Sequence, residues 1–455
     1  MGLKGASGIL LPLRPVLTDL IEADTPIAAE ALATSPGRVE HHSFYPFLGF
    51  TIETPKVQVD ENGGFCRKVK KRPIKLAAHA DAAIYAHYGR ILAECYEKEL
   101  ATRGLGSCII AFRQAGGPGL NNITFANQVF DFIEKNRPCV AIGMDVEKFF
   151  DRLSHTYLKQ RWQATLGADR LPSDHFQIFK SLTDFSWVDR ERAYRACGVS
   201  PHNPRPRNLW RRRICSPVNF RKQIRDGGLI WGNPEKMNKR GIPQGAPISA
   251  LLSNIYMLEF DTALQSAVSV CGGLYRRYCD DIAIVVPPGN LPEIEKLASD
   301  LIAALFLTIN PDKTTHAEFP VGTAASALNG TKIQFLGFDF DGTRRLIRAS
   351  SLTRYYGKMR QGVSLAYQTW KKSNRQESNQ GQALTGLKTR QLYIRYSYLI
   401  RRRFRSKASG HERQGENFIT YAYRAAAVLS APEIKHQVRN HFKALQEAIR
   451  RVKQQ

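Results

Sequence analysis

The sequence predicts a mixed α/β chain of the α+β kind, with antiparallel strands and helices followed by a helical carboxy-terminal region. Three observations predict it. Gly273-Leu-Tyr-Arg-Arg-Tyr-Cys-Asp-Asp-Ile-Ala-Ile-Val-Val286 enters on an apolar and aromatic run and leaves on a β-branched one. It therefore reads as strand, tight turn, strand, with Asp280 and Asp281 at the tip. Val140-Ala-Ile-Gly-Met-Asp145 reads as a buried strand that ends in a carboxylate. Segments 352–371, 386–405, 417–429 and 433–452 each carry an apolar stripe at helical spacing; in the last it is Ile434, Val438, Phe442, Leu445, Ile449 and Val452.

The chain has 455 residues, room for two or three units that each bury a core. Its net charge of +26 is uneven: from Arg344 to Gln455, 25 Lys and Arg face 5 Glu and no Asp. So basic a tail implies a polyanionic partner, either nucleic acid or an anionic membrane surface. The eight cysteines show no CxxC and no metal-like pairing with His, so they read as buried apolar residues in a reducing compartment. No apolar run reaches transmembrane length, the Ile9–Pro15 segment is too short and broken for a signal peptide, and Ala6 stands where a myristoylation signal needs Ser or Thr. A soluble, cytoplasmic protein with no membrane partner is expected.

Taken in order, the first 55 residues are weakly patterned, with helix over Leu17–Ala23 and Ile27–Thr34 and no assigned role. Lys68–Ile74 is a basic strand, and 77–101 a helix with Ile84, Tyr88, Ile91, Leu92 and Cys95 on its apolar face. Cys108–Arg113 reads as a strand, Gly116–Gly119 as a turn, and Ile123–Lys135 as a helix. A helix follows over 156–165, then a basic stretch from 186 to 240 that includes Arg211-Arg-Arg213 and looks extended. Helices are expected over 249–265 and 291–306, a strand and turn over 307–314, and a Gly-interrupted strand pair over 333–338.

Several residues carry chemistry, each beside a plainer reading. Adjacent Asp280 and Asp281 suit a hard cation such as Mg²⁺, or form an ordinary Asp-Asp turn. Asp145 is a ligand candidate or a helix cap. Arg113, at a strand end beside a glycine-rich bend, can meet a phosphate or simply be solvated. His155 reads as structural. Gln244 offers a donor and an acceptor at a helix entrance, and Gly245 permits close backbone approach by a ligand. Arg401-Arg-Arg403 and Arg405, interleaved with Tyr393, Tyr396, Tyr398 and Phe404, suit a nucleic-acid backbone better than a lipid surface.

Together these segments resemble the reverse transcriptases, over roughly 65–345 and in the family's order. Asp145 with Phe149-Phe150 resembles polymerase motif A, Pro243-Gln244-Gly245 motif B, and Tyr278-Cys-Asp-Asp281 the YxDD box of motif C. Lys313 in Asn-Pro-Asp-Lys-Thr resembles motif D, and Phe335-Leu336-Gly337-Phe338 the primer-grip motif E. The resemblance implies a right-hand polymerase with fingers and palm, an antiparallel palm sheet and an all-helical thumb. It also implies two Mg²⁺ ions (or Mn²⁺) held by Asp145, the Val146 backbone and Asp280, with Asp281 the weaker ligand. It gives Lys313 a role at the pyrophosphate, Arg113 one at the incoming triphosphate, and Phe150 that of a steric gate favouring dNTPs, so that the product is DNA.

Within that family the chain most resembles standalone bacterial enzymes of antiphage defence. Lys71-Arg-Pro-Ile74, His79-Ala-Asp81, Tyr85, Tyr96-Glu97, Ile110–Arg113 and Gly415–Tyr421 carry this likeness. No zinc or endonuclease module follows, no Val-Thr-Gly signature lies beyond the Phe-Leu-Gly box, and the Pro-Gln-Gly box is intact. The likeness implies a dedicated non-coding RNA as template or scaffold, and an organisation of extension 1–60, fingers and palm 61–345, and basic thumb 346–455. Other readings remain open: a template-independent or protein-primed nucleotidyltransferase, a group II intron or retron type enzyme, and a non-catalytic RNA-binding protein. Oligomeric state is not legible.

Overall fold

The computed structural model describes residues 26–59, 65–113, 121–200, 216–321, 332–379, 386–398, 403–405, 412–414 and 416–454. The chain divides into two compact units, the first of Met1–Gly117, Met144–Ile282 and Gly289–Thr314, the second of Pro118–Gly143, Ala283–Pro288 and Thr315–Gln455. In chain order the strands include β1 Phe47–Val59, β2 Phe65–Leu76, β3 Cys139–Asp145, β4 Ser186–Asp189, β5 Ile230–Gly232, β6 Leu274–Tyr278 and β7 Asp281–Val286. They continue with β8 Thr315–Phe319, β9 Ile333–Phe335, β10 Phe338–Phe340 and β11 Arg345–Ile347.

In the first unit a four-stranded sheet has the order β2-β1-β4-β5. Leu48 and Val188 project from one face of it into a core with Ala193, Tyr194, Val199, Phe220 and Ile224. The helix His79–Thr102 buries Ile84, Tyr88 and Leu92 of the predicted face and also Tyr85, Tyr96 and Leu100, while Ile91 and Cys95 are only half-buried. β6 and the start of β7 also lie in this unit. β3 is buried along its whole apolar run and surfaces only at Asp145, so the carboxylate stands where the strand meets solvent.

In the second unit β3 and β8 pair antiparallel, with Gly143 opposite Thr315. A side chain at Gly143 would come within 2.9 Å of the Thr315 hydroxyl, so this register needs glycine there. β9, β10 and β11 form an antiparallel sheet. Helices Ala349–Asn379, Arg390–Tyr396 and His441–Lys453 share a core of Met359, Val363, Leu392, Leu445 and Ile449.

Several expectations need correction, among them the helix over 433–452, which is two, Pro432–Val438 and His441–Lys453. Cys108–Arg113 makes only an isolated bridge, Ile109 to Arg277, because the chain bends at Phe112 with φ of 58°. The stretch 186–240 is not simply extended: its apolar residues give it β4, β5 and short helices around the first core, while 201–215, with Arg211–Arg213, lies outside the described residues. Segment 307–314 is a bridge at Ile309 and a 3₁₀ turn over Pro311–Lys313 rather than a strand. The helix over 249–265 is two, Ser249–Tyr256 and Leu258–Val270. The helix expected over 386–405 stops at Tyr396, where the Asn417 amide donates to the carbonyls of Ile394 and Tyr398 and so closes the last turn.

Beyond that stop, Arg403–Arg405 is a strand paired with Glu412–Gln414, so this region is not all-helical. The expected helix Leu17–Ala23, the turn Gly116–Gly119, and Arg401 and Arg402 lie outside the described residues. Among the described residues no helix is long and apolar enough to cross a membrane, and the described cysteines are free thiols.

Candidate active site

The first unit brings motifs A and C together through the backbone. The Val146 N–H donates to the Asp280 carbonyl at 3.2 Å, so the residue after Asp145 touches the catalytic-turn candidate directly. The turn joining β6 to β7 is Cys279-Asp280, with Cys279 left-handed at φ of 60°. Asp281 is therefore not at the tip, as the sequence suggested, but is the exposed first residue of β7.

A left-handed cysteine costs roughly 1–3 kcal/mol unless its surroundings hold it. Here a buried network does so. The Arg277 guanidinium donates to both Asp261 carboxylate oxygens at 2.6 Å, to Asn254 Oδ1 at 3.0 Å and to the Cys279 carbonyl at 3.1 Å. Tyr275 donates its hydroxyl to Asp261, and Asn254 donates to the Ala111 carbonyl. Burial pulls the Arg277 guanidinium down, but the Asp261 carboxylate and its hydrogen bonds outweigh that and hold it above its ordinary value. Arg277 and Asp261 were not singled out from sequence; the charged pair Arg276-Arg277 inside an otherwise apolar strand was the available signal.

Lys313 reaches Asp145 through local pairing. The Glu147 N–H donates to Thr308, the Asn310 N–H donates to the Asp145 carbonyl at 2.8 Å, and the Pro311–Lys313 turn swings the ammonium onto the Asp145 carboxylate. Among the described residues no three His, Cys, Asp or Glu side chains converge as a closed metal centre. The donors are nevertheless hard oxygens, and one of them already binds a cation, the Lys313 ammonium.

The segment after Asp145 is zipped to the motif B loop. Ile242 N–H donates to the Phe150 carbonyl and Gly241 N–H to that of Leu153, both at 2.9 Å. Phe149 is buried while Phe150 is only half-buried, its ring 5.6 Å from that of Phe149. On the other side, Lys75 N–H donates to the Gln244 carbonyl at 2.9 Å. Gly245 has φ of 124°, and a side chain there would lie 2.7 Å from the Lys75 carbonyl oxygen. The half-buried Gln244 side chain hydrogen-bonds to no other described residue, which leaves its amide for a ligand.

Arg113 is placed differently from expectation. Its side chain is 4 % exposed, forks onto Glu97 at 2.8 and 2.6 Å, and donates to the carbonyls of Gly106 and Ile109. Its donors are spent on the protein, so it fixes a loop instead of meeting a triphosphate. The cation that does border the Gln244-Gly245 loop is Lys75, missed in the sequence among its many basic neighbours. Burial lowers its ammonium to about 8, against the pull of Asp189 and Asp151.

In the second unit, Leu336 and Gly337 both have positive φ, 48° and 90°, and make the tight turn between β9 and β10 with Phe335 buried beside it. Asn122 donates to the Leu336 carbonyl. A groove of about 1310 Å³ runs along helix Ala349–Asn379, where Arg354, Lys358 and Arg395 stand among Tyr355, Tyr396 and Phe418. Its acidic lining residue, Glu416, is paired with Arg424. Arg403 and Arg405 lie in the strand described above, with Arg401 and Arg402 outside the described residues.

The end of β3 at Asp145 thus lies against the Asp280 turn, and Lys313 reaches the Asp145 carboxylate. The family model described as reverse transcriptase (RNA-dependent DNA polymerase) matches residues 82–340, more than half of the chain. The chain belongs to the reverse transcriptase family. No curated protein sequence matches it significantly. Among solved structures, apo telomerase from Candida tropicalis is similar at 13% identity and a TM-score of 0.38, over 70% of this chain and 54% of that one. Telomerase from Candida albicans in complex with a fragment of telomeric RNA is similar at 12% identity and a TM-score of 0.37, over 92% and 63%. The chain thus spans little more than half the length of the first of these.

Proposed function

We propose that the protein synthesises cDNA on a bound RNA, adding dNTPs to a primer 3′-hydroxyl with Asp145 and Asp280 at the reacting centre. The observation that carries this is the backbone contact of Val146 with Asp280, which brings the end of β3 against the Asp280 turn. Asp145, the Val146 carbonyl, Asp280 and, more weakly, Asp281 would hold Mg²⁺, or Mn²⁺ in its place. A metal held there would supply Lewis-acid activation of the attacking hydroxyl and offset charge on the leaving group.

The chain's own residues do the rest. Lys313 would neutralise or protonate pyrophosphate, a role that its contact with the Asp145 carboxylate supports. Phe150, only half-buried, would crowd a ribose 2′-hydroxyl and so favour dNTPs. Gln244 offers its uncommitted amide to the nucleotide or its template partner. The Phe335-Leu336-Gly337 turn holds the primer strand, and the basic groove of Arg354, Lys358 and Arg395, together with the Arg401–Arg405 segment, holds the nucleic-acid backbone.

The finer reading is that of a standalone bacterial enzyme, cytoplasmic, organised as extension 1–60, fingers and palm 61–345 and thumb 346–455. It copies a dedicated non-coding RNA in antiphage defence. It rests on the motifs that carry the likeness, including Lys71–Ile74 and Gly415–Tyr421, and on the basic tail. The test is to purify the protein from cells with its nucleic acid and sequence both RNA and DNA. One discrete RNA with complementary DNA is expected. Heterogeneous RNA with homopolymeric DNA would indicate an untemplated transferase, and no DNA after adding dNTPs and Mg²⁺ would remove the polymerase assignment.

A further inference from the structure

The sheet β2-β1-β4-β5 carries two tryptophans that its own packing does not account for. Trp187 and Trp231 are cross-strand partners on β4 and β5, with ring centroids 5.9 Å apart and planes tilted by 33°. Trp231 is 48% exposed, whereas the opposite face of the same strands buries Val188 in the core. The Trp187 indole is fixed in place: its N–H donates to the Gly232 carbonyl at 3.2 Å, and it lies across Gly49 of β1. A side chain at Gly49 would come within 2.4 Å of that ring, so only glycine lets the indole lie there.

Cations frame the pair. The Lys75 ammonium sits 3.0 Å from the centroid of the Trp187 ring, and the Arg192 guanidinium 5.6 Å from that of Trp231. A sheet face that shows a rigid, part-exposed indole pair edged by Lys and Arg matches what an unpaired nucleic-acid strand requires. Every base has a π-face to stack, and every linkage a phosphate to neutralise. Charge complementarity singles out this occupant, since the cations at the pair, Lys75 and Arg192, match a phosphate backbone.

We propose that Trp187 and Trp231, with Lys75 and Arg192, form a stacking site for unpaired bases of a single-stranded nucleic acid. The site is continuous with the motif B loop through β2, since Lys75 both covers Trp187 and hydrogen-bonds through its backbone to Gln244. The natural occupant is the template strand of the reaction proposed above, and to that extent the inference rests on that reading. A cross-strand aromatic pair can also serve only to stabilise a sheet, and the experiment separates the two roles.

Full-length protein is titrated against a fluorescein-labelled 20-mer, as RNA and as DNA, single-stranded or as a blunt duplex, and anisotropy is read at one fixed salt concentration. Trp231→Ala is expected to weaken single-strand binding about tenfold while changing duplex binding less than twofold. Trp231→Phe, which keeps a stacking ring, is expected to stay within about threefold of wild type. Arg192→Ala is expected to weaken single-strand binding less than Trp231→Ala does. The inference is overturned if Trp231→Ala binds the single strand within twofold of wild type, if it weakens duplex and single strand alike, or if wild type binds no single strand. RNA and DNA arms report which strand is preferred. Primer extension by the wild type, run in parallel, tests the polymerase reading separately: its failure would leave the stacking comparison decisive on its own.

Discussion

Arg277 and Asp261 form a bidentate ion pair wholly removed from solvent, each partner 0% exposed. The same guanidinium donates to the Cys279 carbonyl, and so ties the carboxylate-bearing turn to the helix Leu258–Val270. A buried pair of this kind adds little stability over an apolar pair, but breaking it strands a charge. Its value here is geometric: it fixes a turn whose left-handed residue directly precedes Asp280.

Arg277→Met alone should therefore cost about 3–5 kcal/mol in urea unfolding, because Asp261 is left buried and unpaired. Arg277→Met combined with Asp261→Leu should recover most of that stability yet remain slow, at least about tenfold below wild type in single-nucleotide incorporation, since no donor then holds the Cys279 carbonyl. A stable double variant with wild-type kcat would refute the positioning role.

Asp145→Asn and Asp280→Asn should each lower nucleotide incorporation by about 10³-fold or more, the scale of losing several kcal/mol of charge stabilisation. Neither residue is buried, so thermal midpoints should stay close to wild type. Asp281→Asn should lose only about tenfold, because Asp281 starts a strand at an exposed position. Equal rates for all three variants and wild type would dismiss these carboxylates from the chemistry.

What could be read in the sequence was whatever a local pattern encodes. The apolar run before Asp145, the hairpin around Asp280 and the turn at Gly337 all follow from periodicity and turn chemistry within a few residues. The buried network was not legible, because Arg277, Asp261 and Asn254 become partners only when helix and strand pack, and nothing in their spacing signals it. Arg113 failed for the same reason: its exposure depends on Glu97, a residue 16 positions away across a helix and a bend. The helix over 386–405 had the right periodicity but met a capping amide, Asn417, supplied from a later segment. Lys75 was hidden by number, one basic residue among several on β2, and only its seat against Trp187 and Gln244 distinguishes it.

Phe150→Ala should relax sugar selection. The half-buried ring stands on the segment hydrogen-bonded to the Gly241–Ile242 backbone, and its removal opens space without disturbing that backbone. The ratio of kcat/KM for a dNTP over the matching rNTP should fall about 10- to 100-fold. An unchanged ratio would mean that another residue excludes the 2′-hydroxyl.

Gly245→Ala tests the clamp on the motif B loop. The new methyl would meet the Lys75 carbonyl at 2.7 Å, at a φ of 124° that an L-residue rarely adopts. The loop should shift away from β2 at a cost of about 1–3 kcal/mol, and the KM for dNTPs should rise more than kcat falls. Unaltered stability and KM would show that the loop relaxes freely.

Lys75 supplies a pH signature with a definite sign. Its ammonium falls to about 8 in the folded protein, chiefly through burial, against 10.5 ordinarily. Below pH 8 both folded and unfolded chains hold the proton, and the cost of burying the charge is fully present. Between pH 8 and 10.5 the unfolded chain holds more of it, so this group makes the protein more stable as pH rises through that window. The whole shift would correspond to about 3 kcal/mol; Lys75 keeps partial contact with solvent, which reduces the expected gain to about 1 kcal/mol. Because other groups titrate there too, the measurement is a difference: urea midpoints at pH 7 and pH 10 for wild type and for Lys75→Met. Wild type should gain on the variant as pH rises. Parallel pH dependences would mean that the Trp187 ring and the nearby carboxylates keep Lys75 charged throughout.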